Sequence, residues 1–217
     1  MPALFGFTNS EFDAVERLIS AERFSTYLGH AGGDKSKAFR LYIQNLRLSS
    51  SLFESIGGLE VALRNSVHIT LTQAFRSDTW YDRVPFSWMH PETAALEKAK
   101  HQIRARKKQL VPGRVIAELT FGFWCGITRR QYSASLWIPH LHKAFPHQRL
   151  GRMEVQQSLN GIRELRNRIA HHECILHLDL AAEYAQIQET LRWICPITCS
   201  WFEAHSSFHS IWKSPLA

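Results

Sequence analysis

Acidic residues are scarce in this chain of 217 residues: nineteen Asp and Glu face twenty-six Lys and Arg, leaving a formal net charge of +7 and a sequence pI near 9.5. An excess of that sign favours polyanionic partners through long-range attraction and counterion release. Long apolar runs are missing too. The longest run free of Asp, Glu, Lys and Arg is Gln131 to His142, and Trp193 to Phe202 is shorter still. A membrane-spanning helix needs about 20 apolar residues, so no membrane partner is expected. The opening MPALFGFTNSEFD has no basic cluster ahead of its short apolar patch and no small-residue cleavage site. It therefore does not read as a secretory leader, and the expected location is the cytoplasm.

Cysteine is sparse as well. Cys125, Cys174, Cys195 and Cys199 form no CxxC, and the last two are separated by three residues where zinc knuckles have two, so reduced and mostly buried thiols are expected. His171, His172, Glu173 and Cys174 are adjacent in sequence, and four successive side chains on a helix diverge instead of converging on one ion. His172 and His177 miss the HExxH spacing by one residue, which sets them about 140° apart on a helical wheel. Neither GxxxxGK[ST], GxGxxG nor GxSxG occurs, which argues against P-loop, dinucleotide-binding and common serine hydrolase sites. No metal and no cofactor is expected.

At 45% hydrophobic and 12% aromatic residues, the chain has ample material for a core. The apolar residues recur at helical spacing, with glycine and proline falling mainly between the periodic segments. The reading is a single all-α domain. Helices are expected from about Ser10 to Leu28 with Asn9 or Ser10 as cap. Another runs from Lys35, capped by Asp34, to about Phe75 as one long or two medium helices, with Ser49 to Ser51 or Gly57-Gly58 as the alternative break. A third starts at Pro91 and reaches about Leu110. Val115 to Ile127 and Tyr132 to Phe145 are read as two buried helices, although Pro139 argues against the second. A long helix from about Arg149 to His171, one from Asp179 to Ile194, and an amphipathic piece from Ile197 to Trp212 complete the pattern.

One segment carries chemistry. On a wheel of 100° per residue, Val155, Ser158, Ile162, Leu165 and Ile169 fall on one arc, the expected core face. Arg163, Arg166, Asn167, Ala170 and His171 fill a neighbouring arc. Asn167 and His171 stand at i and i+4, close enough for the amide to orient the ring, with fixed positive charge beside them. Read without further context, the same residues describe a solvated helix face with a histidine at its end.

Arg166-Asn167-Arg168-Ile169-Ala170-His171 resembles the R-x(4-6)-H motif of the HEPN superfamily, including the polar residue after the arginine that its ribonucleases favour. The surrounding LRNRIAHHE resembles the carboxy-terminal signature of the Abi-like (AbiD/AbiF-type) abortive infection proteins. Leu59 to Asn65, LEVALRN, resembles that family's E-x-x-L-R helix, and Ile116 to Trp124, IAELTFGFW, its E-L-[ST]-F-G segment. The resemblance covers residues 34–194, leaving 1–33 as variable amino-terminal helices and 195–217 as a carboxy-terminal helix. It implies a HEPN-like helical bundle with additional helices and a homodimer in which two motifs meet. It also implies a metal-independent RNA endonuclease of an abortive-infection or toxin-type phage-defence system. Arg166, Asn167 and His171 would be catalytic, with Arg163, His172, Glu60 and Arg64 in support. The alternative from another class is a non-catalytic RNA- or protein-binding module that senses infection or is held by a cognate RNA or antitoxin inhibitor.

The densest charge in the chain is Lys98, Lys100, Arg104, Arg106, Lys107, Lys108 and Arg114. A run of this kind is commonly a solvated helix face; beside a ribonuclease-like motif it is the expected RNA track. Trp80, Tyr81, Phe86 and Trp88 are read either as core or as a surface for stacking bases. Glu118, flanked by apolar residues, is read as a buried carboxylate in need of a cationic partner.

Overall fold

The computed structural model describes residues 8–214. About three quarters of these are helical, with no strand among them: α1 Asn9–Ile19, α2 Ala21–His30, α3 Lys35–Phe75, α4 His90–Ala105, α5 Pro112–Glu118, α6 Phe121–Gly126, α7 Arg152–Ala170, α8 Leu180–Ile194, α9 Pro196–His205 and α10 Phe208–Trp212. No described helix is long and apolar enough to cross a membrane.

The organising element is α3, an unbroken helix of 41 residues, about 60 Å long at 1.5 Å per residue. Asp34 caps it by accepting from the Lys37 amide at 2.9 Å, as expected. Neither Ser49 to Ser51 nor Gly57-Gly58 breaks it. Tertiary contact accounts for Gly58: a Cβ there would lie 2.6 Å from the Phe202 ring of α9, so the glycine lets α9 approach. Around α3 gather α2, α7, α8, α10 and the turn Leu141–Ala144. The main core includes Leu52, Leu59, Leu63, Trp124, Ile162 and Ile187, and a smaller one under α1 and α2 holds Phe12, Phe24, Tyr27, Ala38 and Phe39.

Several expected boundaries shift. Thr8, not Asn9 or Ser10, caps α1 through a capping box with Glu11, and the chain turns at Ser20, whose φ is 78°. The segment 115–127 is two short helices, because Leu119 and Thr120 are extended and Thr120 starts the second. Residues 132–145 form no α-helix. They pass through a π-helical turn, Ser133–Trp137, and a 3-10 turn, Leu141–Ala144, with Pro139 lacking the N–H that a continuous helix requires. The four cysteines are free, with Cys125 and Cys199 buried.

Candidate active site

Helix α7 presents the core face expected of it: Val155, Ser158, Ile162, Leu165 and Ile169 are buried. Its polar seam against α8 is a network in which Ser158 and Thr190 hydroxyls meet at 2.6 Å and the Gln186 amide donates to the Ser158 hydroxyl at 3.2 Å. Satisfied buried polar groups of this kind fix the rotation of one helix against another. The rotation of α7 is what aims the neighbouring arc.

On that arc Asn167 and His171 are exposed, whereas Arg163 and Arg166 are half-buried. The Nε atoms of both arginines are buried without a hydrogen-bond partner. Arg166 is turned toward α3, where its charge and that of Arg64 act on the half-buried Glu60. Burial raises the Glu60 carboxyl above its ordinary range, and the two guanidiniums oppose that shift. Arg64 and Arg166 are thus both near enough to Glu60 for their charge to act on it, without an ion pair among the three. Arg163 and Arg129 sit near the Cys125 thiol, which burial pushes up to about 12, so it is an inert thiol instead of a nucleophile.

The end of α7 is built by its backbone. His171 is the last residue before the turn; its N–H donates to the Asn167 carbonyl at 3.0 Å, while the Asn167 side chain makes no hydrogen bond to the ring. His172 takes the left-handed conformation, φ 55°. Its amide bonds the Ile169 carbonyl at 3.0 Å and the Glu173 amide bonds the Arg168 carbonyl at 2.9 Å, the paired pattern of a Schellman cap with histidine where glycine is usual. His172 is thus a turn residue, and its carbonyl accepts from Arg23 of α2 at 3.3 Å. Arg168 reaches Glu173 at 3.3 Å.

A residue that sequence reasoning missed holds this turn. Asn45, buried in the first third of α3, accepts the Ile175 amide on Oδ1 at 2.8 Å and donates from Nδ2 to the Glu173 carbonyl at 3.2 Å. A lone Asn in a helical pattern gives no warning of this; its place beside the apolar Leu48 and Leu52 is the only hint. Glu92 was missed as well. It is the buried carboxylate of the molecule, bonded by the Tyr132 hydroxyl at 2.8 Å and by Arg129 at 3.3 Å, and it occupies the space a Cβ on Gly126 would need. Glu118, read as that buried group, is instead partly exposed, although it does have a cationic partner, Arg106, at 2.8 Å.

The basic run does not act as one free surface. Lys100 is only 13% exposed and is held by Asp82 at 2.7 Å and Glu97 at 3.3 Å, and Arg106 is paired with Glu118. Lys98, Arg104, Lys107, Lys108 and Arg114 are exposed. Trp80 and Tyr81 are buried, and Phe86 and Trp88 pack on the main core, so these aromatics are structural. Along the exposed face of α3 beside the end of α7, Leu46 and Phe53 stand 38% and 45% exposed and border a shallow cavity of about 280 Å³ with Ile169, Ala170 and His172. Among the described residues, no three His, Cys, Asp or Glu side chains converge as metal ligands would. Compared with known proteins, the chain matches no protein-family model, no curated protein and no solved structure.

Proposed function

We propose that the protein is a HEPN-like, metal-independent RNA endonuclease of a cytoplasmic abortive-infection or toxin-type defence system. The observation that carries this reading is the division of labour on α7: an exposed imidazole at the helix end and, one turn back, a half-buried guanidinium directed at α3. RNA supplies its own nucleophile, so the protein needs only proton transfer and charge stabilisation. The 2′-oxygen attacks phosphorus as its proton passes to one imidazole. The P–O5′ bond breaks, and the leaving oxygen takes a proton from an imidazolium, giving a 2′,3′-cyclic phosphate and a 5′-hydroxyl. Arg166 neutralises the phosphorane, and Asn167 positions substrate or ring.

One His171 cannot both take and give a proton in one step, which suits a two-fold homodimer that places two motifs in one groove. The apolar stripe of α3 at Leu46 and Phe53, bordering the motif, supports a contact there. A protein with such an activity requires restraint in its host, and a cognate RNA or antitoxin is the partner this reading assigns to that task.

The test is cleavage of a mixed RNA pool with and without EDTA. Expected are cleavage that survives EDTA, cyclic-phosphate ends, and no action on DNA or 2′-O-methyl RNA. His171→Ala should lower the rate by about 10² to 10⁴, and Arg166→Ala by about 10² to 10³, with RNA affinity in His171→Ala nearly intact. Cleavage of DNA, a strict need for a divalent ion, or full activity in His171→Ala would refute it. Binding without any cleavage would point instead to a non-catalytic RNA module.

A further inference from the structure

From Leu119 to Met153 the chain has no Asp or Glu, while it carries Arg129, Arg130, Lys143, Arg149, Arg152 and three histidines. The second half of this stretch is the least regular part of the fold, the π-helical turn and the 3-10 turn on either side of Pro139. π-turns are rare and frequent at functional sites. Here the two turns frame a cleft of about 570 Å³, within the range of ligand sites, whose lining includes Trp137, Ile138, His142, Lys143, Phe145 and Arg149 and no carboxylate.

The cleft has a floor and a rim of different chemistry. Trp137 and Phe145 are buried with ring centroids 5.8 Å apart, and Ile138 beside them is 65% exposed. Lys143 and Arg149 are exposed and have no ion-pair partner among the described residues. The His142 Nδ1 lies 3.0 Å from the Trp137 carbonyl, which can only accept, so that nitrogen carries the proton and Nε2 is left as an acceptor in the neutral ring. Glu154, in the first turn of α7, comes within 3.4 Å of the Cβ position of Gly151 but does not line the cleft. An apolar floor with unopposed cations at its rim matches a nucleotide, which is a flat apolar-faced base joined to an anion.

We propose that this cleft binds one nucleotide of single-stranded RNA, with its phosphate between Lys143 and Arg149 and its base on the floor beside Ile138. The choice of RNA rests on the endonuclease reading; the affinity for a nucleotide rests on the lining. The cleft lies at the start of α7 and His171 just past its other end, about 28 Å away along a helix of 19 residues. A strand stacked at about 3.4 Å per nucleotide covers that distance in about eight nucleotides. This locates the principal contact away from the α4 run, where Lys100 and Arg106 are already paired.

The test uses the full chain and a fluorescein-labelled 12-nucleotide 2′-O-methyl RNA, which cannot be cleaved, with anisotropy read at 50 and 200 mM salt. Lys143→Glu/Arg149→Glu should weaken binding at least tenfold at low salt and reduce the slope of log affinity against log salt by about 0.7, one phosphate's worth for a single strand. It should do so by more than Arg104→Glu/Lys107→Glu, while circular dichroism stays unchanged. If the charge reversal unfolds the protein, Lys143→Gln/Arg149→Gln gives the same reading with a smaller loss. Binding within twofold of the parent, or loss only with the α4 variant, overturns the cleft and leaves the endonuclease reading standing. No binding by the parent chain refutes both. Displacement of the strand by free uridine monophosphate at similar concentration overturns the proposal in favour of a mononucleotide site.

Discussion

Asn45→Ala tests whether the turn after the motif is held from α3. The substitution removes two hydrogen bonds, to the Ile175 amide at 2.8 Å and from Nδ2 to the Glu173 carbonyl at 3.2 Å. Each contributes about 1 kcal/mol net. The Ile175 amide belongs to a residue with no exposed surface, so for that bond the cost is instead the about 1 to 3 kcal/mol of a buried N–H left unpaired, whereas the Glu173 carbonyl can turn to water. The expected loss is about 2 to 4 kcal/mol. For a chain of this size that corresponds to a fall in Tm of very roughly 4 to 16 °C. Urea denaturation supplies the free energy, and native-state hydrogen exchange supplies the location: the Ile175 amide should lose protection before those in the middle of α7. Since His171 sits immediately before the turn, RNA cleavage should fall with it. A stability within about 0.5 kcal/mol of the parent, with Ile175 still protected, would show that Asn45 does not hold this turn.

Three further outcomes follow from the same structure. His172→Gly relieves a left-handed backbone at φ 55° and should raise stability by about 0.5 to 1 kcal/mol in a thermal melt while preserving cleavage; loss of cleavage would move the proton-transfer role from His171 to His172. Glu60→Gln removes a carboxylate whose pKa burial raises, and a raised acid pKa means stability is lost as pH climbs through it. The variant should therefore be as stable as the parent or more so at pH 7, yet cleave more slowly because Arg166 loses its counter-charge; unchanged cleavage would detach Glu60 from the site. His68 accepts from the Trp80 indole at 3.0 Å and burial lowers its pKa, with Asp78 opposing. The stability tied to neutral His68 is present above its unfolded value near 6.5 and lost as pH falls below it. His68→Gln should flatten that acid-side decline in Tm, and an unaltered decline would assign it to other groups.

The helical class, the Asp34 and Asp179 caps and the buried face of α7 were legible because each depends on local periodicity or a single side chain bonding a nearby amide. Continuity of α3 through Gly57-Gly58 was not, since Gly58 answers to the close approach of Phe202, which is remote in sequence, and does not mark a break. The failed helix at 132–145 was foreshadowed by Pro139, but nothing local announces a π-turn. For the site, spacing alone placed Asn167 and His171 on an exposed surface, and it left Arg166 and its approach to Glu60 open because burial against α3 depends on how two distant helices cross. Charge counting overstated the α4 run for a similar reason: Asp82 and Glu118, which occupy Lys100 and Arg106, come from other elements.

Two cores strung on one rod need not melt together. The Phe12, Phe24 and Phe39 cluster grips only the first turns of α3, and the rest of the helix belongs to the larger core, with Leu176 touching both. Cooperative units of this kind open at different free energies, so the amino-terminal helices can detach while the remainder of the bundle stays folded. Their opening would not be silent. Arg23 would release the His172 carbonyl, and Leu176, just past the Asn45-held turn, would lose its packing against the smaller core. Fraying at one end of the molecule would then register as slackness at the histidine, and a protease cut confined to α1 and α2 would be read out at the far side of the same joint.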